Sequence, residues 1–257
     1  MMSLRVLEAN ARVYKRTWKG SAMSAFLNPV LFLLSMGLGL GSLVDSNPAA
    51  DSIPAGITYV SFLASGLLAA TAMQTGAGEG SWPVFAGIKW IKSYHAALAT
   101  PVRVGDLVAG NLLWVGVRVA LSAVAFALVS AVLGAISPVQ VALAVPGAIL
   151  TGMAFAAPVT GFTALAKDET KLSSLFRFGI IPMFLFSGTF FPVEQLPGWL
   201  QPVAFVTPLW HGVELCRASA LGIDSALPPS LHIAYLVVWT AAGWVVARWA
   251  LARRLQP

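Results

Sequence analysis

The stretch FSGTFFPVEQLPGWLQPVAFVTPLWH, from Phe186 to His211, is as apolar as a membrane span, yet it contains four prolines. They are Pro192, Pro197, Pro202 and Pro208, at steps of five, five and six residues. Proline removes a backbone donor and clashes with the preceding turn, so this stretch cannot form one straight helix facing lipid. Broken backbone at membrane depth is tolerated only where protein shields it or where it lines a cavity.

The composition of the whole chain indicates an integral membrane protein. Hydrophobic residues make up 58% of it and charged residues 10%, whereas soluble domains carry about a quarter charged residues. The net charge of +6 lies in Lys and Arg that flank apolar runs. Anionic headgroups and topology explain that charge, so we expect no nucleic-acid partner. The single Cys216 excludes an intramolecular disulfide and a metal site built on a cysteine pair.

Six apolar runs of about twenty residues predict an all-α fold with six transmembrane helices in one transmembrane domain, residues 1–257. The period-two alternation of a membrane β-barrel is absent from these runs. The predicted spans are Ala25–Val44, Ile57–Ala77, Leu107–Leu133, Val139–Leu165, Leu175–Phe191 and Leu231–Leu251.

The distribution of basic residues predicts the orientation. The amino-terminal segment, the second-to-third and fourth-to-fifth connections and the tail together carry 14 of the 16 Lys and Arg residues. Cytoplasmic connections are enriched in these residues, so we expect a multi-pass plasma-membrane protein with both termini in the cytoplasm. The first twenty residues contain no apolar run of signal-peptide length, so no cleaved leader is expected.

This orientation places the proline-rich stretch at the outer end of the fifth span. We predict that residues 192–230 form a hairpin of two short helices dipping into the outer leaflet, since so long a structureless loop would be uncommon. Pro192, Pro202 and Pro208 would turn this hairpin, and Trp199 suits the interfacial belt. The alternative is a surface loop lying on the headgroups.

Two cytoplasmic elements stand out. Residues 1–22 have apolar side chains at three- and four-residue steps with basic residues on other faces, which predicts an amphipathic interfacial helix. A simple basic flank that sets topology is the alternative.

The connection at residues 79–105 carries Lys89, Trp90, Tyr94 and the breaker Pro101. It suits a docking surface for another protein, or else an interfacial helix that touches only lipid.

Charged groups inside the apolar runs are few. Arg118 falls within the third span, where an unpaired charge costs several kcal/mol, so we expect it to pair with Glu79 or Glu214, or else to extend its charge to the interface. His211, Glu214, Cys216 and His232 do not supply three or four convergent ligands, so no metal site is expected.

Residues of the second and fifth spans could line a path through the membrane. Met73 and Gln74 would face Phe184, Phe186 and Phe190, an apolar, aromatic surface that suits amphiphilic cargo. Ordinary helix packing or lipid contact is the alternative for each residue.

Small residues at four-residue steps predict close helix contacts, either within one subunit or across a dimer. They are Gly37 and Gly41 in the first span and Ala148, Gly152, Ala156 and Thr160 in the fourth.

Three stretches together resemble the membrane subunits of type-2 ABC exporters, in the branch that contains nodulation-factor and daunorubicin-type exporters. They are VYKRTWKGSAMSAFLNPVLFLLSMGLGLGSLV (Val13 to Val44), SYHAALATPV (Ser93 to Val102) and FSGTFFPVEQLPGWLQPVAFVTPLWHGVELCRA (Phe186 to Ala218). The resemblance spans nearly the whole chain, and the last stretch is the most specific.

The resemblance implies a permease that pairs with a second copy, or with a similar permease, and binds two copies of a separate ABC ATPase. The loop Ser93–Val102 would enter the ATPase as a coupling helix, which adds His95, Ala96 and Thr100 to the docking residues. ATP and Mg²⁺ would bind in that partner and no cofactor in this chain, which has no phosphate-binding G-x-x-x-x-G-K-[ST] motif. The hairpin would roof the exit path.

The expected function is therefore export of a drug, lipid or glycolipid out of the cytoplasm or the inner leaflet. Two other classes of protein remain open from the sequence: an intramembrane lipid-modifying enzyme and a membrane scaffold that docks other proteins. The enzyme would need titratable groups that converge at one depth.

Overall fold

The computed structural model describes residues 2–41, 53 and 56–255, and it is all-helical over them. In chain order the α-helices are α1 (Met2–Phe32), α2 (Tyr59–Lys89), α3 (Ser93–Leu98), α4 (Val104–Val132), α5 (Pro138–Leu165), α6 (Glu169–Leu175), α7 (Ile181–Phe186), α8 (Gln201–Phe205), α9 (Pro208–Leu221) and α10 (Pro229–Leu255). Two π-helical segments, Leu33–Leu40 and Phe176–Ile180, continue α1 and join α6 to α7. Val193–Gln195 is a 3₁₀ turn.

Four of the six predicted spans are confirmed as helices long and apolar enough to cross a membrane. They are α2, α4, α5 and α10, with 27 to 31 residues each. At 1.5 Å per residue the shortest is about 40 Å long, more than the roughly 30 Å of a hydrocarbon core. Side-chain caps fix where α2 and α5 begin. The Thr58 side chain accepts a hydrogen bond from the backbone N–H of Ser61 at the start of α2, and the Ser137 side chain accepts one from the backbone N–H of Gln140 at the start of α5.

The first and fifth predicted spans differ from single straight helices. Met2–Gly20 and Ala25–Gly37 pass the length and hydropathy test only together, with a 47° bend between them. The predicted end of the first span, beyond residue 41, lies outside the described residues. The fifth consists of α6, a π-helical turn and α7, and it ends at Phe186 instead of Phe191. The described residues therefore contain four spans, or five with the bent pair, and the six-span count is not confirmed.

Small residues bring the helices of the core into backbone contact. A Cβ atom added at Gly76 of α2 would overlap the carbonyl group of Gly152 in α5, and one at Gly80 would lie 2.8 Å from the carbonyl oxygen of Ala156. The small-residue face predicted in the fourth span thus packs against α2 of the same chain. Gly37 lies against Val60 of α2, so that face also has a partner within the chain.

The chain after α7 folds back onto the bundle. Gly212 of α9 packs against Thr151 of α5, and Leu215, one turn later, packs against Gly147, one turn earlier. Helix α9 is therefore antiparallel to α5. Its first turn lies beside Thr151, 13 residues into α5 and about 20 Å along the helix from Pro138.

Candidate functional site

A cavity of about 900 Å³ lies between α1, α2 and α4, with Phe184 of α7 at its edge. Most of its wall is apolar, and aromatic side chains contribute much of it. The aromatic residues on the wall are Tyr14, Trp18, Phe26, Phe32, Trp114, Phe126 and Phe184. Its polar lining consists of Lys15, Asn28, Thr71, Gln74, Thr75, Arg118 and Ser122.

The bend in α1 opens this cavity. The first turns of α1 lie on α4, because Gly110 leaves room for the carbonyl group of Ser3 and the side chain of Val6. Further along, the 47° change of direction between Gly20 and Ala25 redirects the helix. The second half of α1, which contains Pro29, then forms a wall opposite α2 and α4.

An ion pair marks one end of the cavity. Arg118 Nε donates a hydrogen bond to Glu79 Oε1 at 2.8 Å, and both side chains are largely buried. The guanidinium carbon of Arg118 lies 4.3 Å from the ring centroid of Tyr14, whose edge meets Trp114 at 5.4 Å. These contacts join α1, α2 and α4 at one level, and Glu214 instead faces Arg217 at 3.8 Å.

The ion pair is distant from the end of the bundle at which α2 begins. Glu79 follows Tyr59, the first residue of α2, by 20 residues, which is about 30 Å along a helix. A bilayer core is about 30 Å thick. If α2 enters the hydrocarbon core near Tyr59, the charge pair lies near the opposite boundary, where water and headgroups reduce the cost of desolvation.

Replacing Glu79 with glutamine should destabilise the folded protein by about 1.5–3 kcal/mol, because it removes a charge-assisted hydrogen bond and leaves a largely buried cation without its carboxylate. The free energy of unfolding in mixed micelles measures this effect. Glu8→Gln is the matched control, since Glu8 pairs with Arg12 on an exposed helix surface and such pairs contribute little. Equal stabilities of the two variants would contradict the assigned role of the buried pair.

The structure brings together only part of the predicted substrate path. Gln74 and Phe184 line the cavity. Met73 points away from it and is fully buried in the core. Phe190 packs on Phe184 with ring centroids 5.0 Å apart, behind the cavity wall, and Phe186 is exposed on the outside of the bundle.

The predicted docking residues form one surface around α3. Lys92 adopts a left-handed conformation with φ of 55°, which reverses the chain after α2. Tyr94 then folds back over Gly87, where an added Cβ atom would lie 2.8 Å from its ring. Burial raises the pKa of Tyr94 above its ordinary value, so the phenol is neutral at all physiological pH values.

The outward side of this surface combines apolar and basic groups. Trp90 is 57% exposed and Ile91 is 73% exposed. The exposed residues around them are Lys89, Lys92, His95, Ala96, Thr100 and Pro101. We call Lys89–Pro101 the α3 surface.

Three prolines of the predicted exit hairpin precede or begin a helical element. Pro192 precedes the 3₁₀ turn, Pro202 lies in the first turn of α8, and Pro208 is the first residue of α9. Proline fits such positions because the first turn of a helix needs no backbone donor. Trp199 lies in the turn before α8 and is 76% exposed.

Sequence reasoning missed several residues of these sites. Tyr14, Trp18 and Asn28 of α1 line the cavity, although α1 was interpreted only as an interfacial helix and a span. Trp114, Arg118 and Ser122 recur at four-residue steps in α4, and that spacing could have predicted one polar, aromatic helix face. Contact between His211 and His232 had no local signal, because they are 21 residues apart.

Comparison with known proteins shows which family and which proteins the sequence resembles. The sequence matches the family described as ABC-2 type transporter over residues 4–221, which reach from α1 to the end of α9. Nodulation protein J of Rhizobium meliloti (strain 1021) is 31% identical over 254 residues, covering 99% of this chain and 94% of that protein.

Two further relatives cover almost the same region. Nodulation protein J of Sinorhizobium fredii (strain NBRC 101917 / NGR234) is 34% identical over 242 residues, covering 93% of this chain and 89% of that protein. The inner membrane transport permease YadH of Escherichia coli (strain K12) is 24% identical over 244 residues, covering 94% and 90%. The similarity thus extends over nearly the whole chain.

Proposed function

Because the chain belongs to the ABC-2 type transporter family, we propose that it is the permease subunit of an exporter driven by ATP hydrolysis in a separate chain. Membrane subunits of this family are permeases and not enzymes, and the family implies association with an ABC ATPase. With several apolar helices of spanning length, the chain is a multi-pass membrane protein. We further propose outward transport of a hydrophobic or amphiphilic molecule, such as a drug, lipid or glycolipid.

The observation that carries the cargo class is the cavity between α1, α2 and α4. Its volume of about 900 Å³ is within the range of small-molecule sites, about 300–1,000 Å³. Phe26, Phe32 and Phe184 offer apolar area on one part of the wall, while Asn28 and Gln74 offer hydrogen bonds on another. A ligand with an apolar body and a polar head matches both parts.

The source of the cargo follows from where the polar lining lies. Lys15 belongs to the first half of α1, and Arg118 packs on Tyr14 of the same segment. We propose that this half of α1 lies along the inner leaflet. An amphiphile entering from the cytoplasm or from that leaflet would place its polar head beside these residues and its apolar part beside Phe26 and Phe32.

The proposed orientation has both termini in the cytoplasm. The end of α2, the α5–α6 connection and the end of α10 carry Lys89, Lys167 and Arg253. Helices α2 and α5 run in the same direction, because Gly76 faces Gly152 and Gly80 faces Ala156. The basic ends of α2 and α5 therefore lie on one side of the bundle, as the positive-inside rule requires of a cytoplasmic face.

The α3 surface is the proposed ATPase contact, and ATP and Mg²⁺ would bind in that partner. A folded surface that exposes Trp90 and Ile91 beside lysines has the composition of a protein interface, with large apolar anchors and a charged rim. Tyr94 fixes α3 to the base of α2 through Gly87. Movement of α3 would therefore be transmitted directly to a wall of the cavity.

A second permease copy is the proposed lateral partner, and two ATPase copies would serve the pair. The segment from α6 to α7 leaves large apolar side chains exposed on one chain, and Phe178, Ile181 and Leu185 are among them. Lipid can cover such a face, but a second copy would also complete the edge of the cavity at Phe184.

Replacing both Trp90 and Ile91 with serine should reduce permease-dependent ATPase activity about tenfold or more, because loss of two central apolar anchors costs at least 1.4 kcal/mol of binding. The assay combines the full chain in proteoliposomes with a phosphate-loop ATPase from the neighbouring reading frame. In the same vesicles, ATP should drive outward movement of a fluorescent single-chain lipid.

Trp199→Ser is the matched control, since it removes an even more exposed tryptophan from the exit hairpin. This control should leave ATPase stimulation unchanged. Full stimulation by the Trp90/Ile91 variant would show that the ATPase does not dock on the α3 surface. Lipid movement without ATP would contradict the exporter itself.

A further inference from the structure

Two buried histidines join the exit hairpin to the last membrane helix. His211 lies in the first turn of α9 and His232 in the first turn of α10. Their Nδ1 atoms are 2.9 Å apart, and the residues are only 6% and 0% exposed. Since the two facing atoms are both Nδ1, one ring must carry the proton and donate it while the other accepts.

Aromatic side chains enclose the pair. Tyr235 stacks on His211 with centroids 3.9 Å apart and planes 18° apart. Its hydroxyl group donates a hydrogen bond to the carbonyl oxygen of Val206 at 2.5 Å, which ties α10 to the turn between α8 and α9. The ring of Trp210 meets both imidazoles, at 4.9 Å and 5.3 Å. The histidine pair is thus the polar centre of a dry contact between the hairpin and α10.

No carboxylate of the described chain pairs with either imidazole. On α9, Glu214 faces Arg217, and Cys216 donates to the carbonyl oxygen of Ala144. On the 3₁₀ turn, Glu194 acts on Glu214 and Arg217. The sequences of α5 and α8 contain no titratable side chain, and Tyr235 is the neighbour on α10. Helix α2 also packs on α9, but its one carboxylate, Glu79, pairs with Arg118. No described carboxylate acts on either imidazole, so an added positive charge would lack a paired counter-ion.

The geometry limits how many protons the pair can hold. A first extra proton can bind the outer nitrogen of the donor ring and leave the N–H···N bond intact, although it places a charge in a buried site. A second proton must bind the accepting Nδ1, which turns the contact into two N–H groups facing each other on two cations. The contact has to break. Burial, followed by the proximity of His232, lowers the pKa of His211 to about 4.

We propose that the His211–His232 pair is an acid-sensitive latch. It holds the hairpin helix α9 against α10 at neutral pH and releases α9 when the solution on the side of the membrane nearest α9 becomes acidic. The sign follows from the lowered pKa of His211. The latch has its full strength above about pH 6.5, the ordinary pKa of histidine, and loses it as the pH falls toward about 4. The proposal goes beyond transport and needs neither the ATPase nor cargo for its test.

Hydrogen–deuterium exchange on the full chain in lipid nanodiscs tests the latch at pH 7.5 and pH 5.0. With an open-state pKa of about 6.5 and a latched value of about 4, opening of α8 and α9 should be about thirtyfold more frequent at pH 5.0. The double variant His211→Asn/His232→Asn should show almost no such increase, because asparagine can make the same hydrogen bond without titrating. Comparison of both proteins at the same pH removes the intrinsic pH dependence of exchange.

His95→Asn is the matched control, since His95 lies exposed on the α3 surface and should leave the pH response of the wild type unchanged. The proposal is overturned if the double variant opens as much as the wild type at pH 5.0. It is also overturned if protection of α9 relative to α5 in the wild type is the same at both pH values, a result that requires no variant to fold. Because neither outcome involves ATP or lipid movement, both are independent of the exporter assay.

Discussion

Replacing Gly76 with valine is expected to prevent most of the protein molecules from reaching the folded state in the membrane. The Cβ atom of any larger residue at this position would overlap the carbonyl group of Gly152. Overpacking against movable side chains costs about 1–3 kcal/mol. A helix backbone cannot rotate away as a side chain does, so we expect a loss of at least about 3 kcal/mol, with α2 pushed away from α5.

The yield of monodisperse protein after extraction, together with its free energy of unfolding, measures this effect. Gly78→Val is the matched control, because Gly78 lies two residues further along the same helix and an added Cβ atom there meets nothing within 4 Å. Both variants introduce the same β-branched residue into α2, so the change in helix propensity is the same in both and cancels in the comparison. Similar yields for the two variants would show that the α2–α5 contact is not required for folding.

The four long spans could be predicted because hydrophobic length is a local property of the sequence. Each of α2, α4, α5 and α10 overlaps its predicted run, and α2 extends 12 residues beyond Ala77 to Lys89. This extension includes polar and charged positions such as Glu79 and Ser81. Hydropathy cannot identify it as helix, since tertiary contacts with α4 and α5 compensate its polarity.

The first and fifth spans were harder to predict because their geometry depends on contacts made elsewhere. A hydropathy run at Leu175–Phe191 gives no sign that the helix ends at Phe186. Two residues later Gly188 has a φ of 82°, which cannot continue a helix, and Arg217, 31 residues after Phe186, donates to the carbonyl groups of Gly188 and Thr189. Likewise, the bend in α1 creates the cavity, but the sequence around Gly20 and Ala25 does not specify an angle.

Individual site residues were predicted less well than the surfaces to which they belong. Met73 and Gln74 are adjacent, so a helix directs them to different faces, and packing against α5 decides that Gln74 lines the cavity while Met73 is buried. At the α3 surface Trp90 and the lysines are exposed, as residues around a tight turn usually are, whereas Tyr94 packs over Gly87, and the docking role stays a prediction.

Replacing Arg217 with methionine is expected to destabilise the hairpin by about 3 kcal/mol or more. The Nη2 atom of Arg217 donates to the carbonyl oxygen of Gly188 at 2.5 Å and to that of Thr189 at 3.4 Å. Its guanidinium carbon lies 3.7 Å from the ring centroid of Phe62 in α2. Methionine would fill similar space but leave buried carbonyl groups without a donor, at about 1–3 kcal/mol each, and a carboxylate without its cation.

This arginine is the polar link between three elements that the sequence separates widely: α2, the end of the fifth segment and α9. The carbonyl groups of Gly188 and Thr189 lie between α7 and the 3₁₀ turn, and both accept a hydrogen bond from that side chain. Glu214→Gln should cost less than Arg217→Met, because Arg217 keeps both carbonyl contacts when its 3.8 Å neighbour is neutral.

The free energy of unfolding, together with hydrogen exchange over residues 187–207, measures both variants against Arg12→Met. Arg12 makes an exposed pair with Glu8, and its loss should leave stability unchanged within error. If Arg217→Met were as stable as Arg12→Met, the break after Phe186 would have to be imposed by its own sequence and not by a donor from α9.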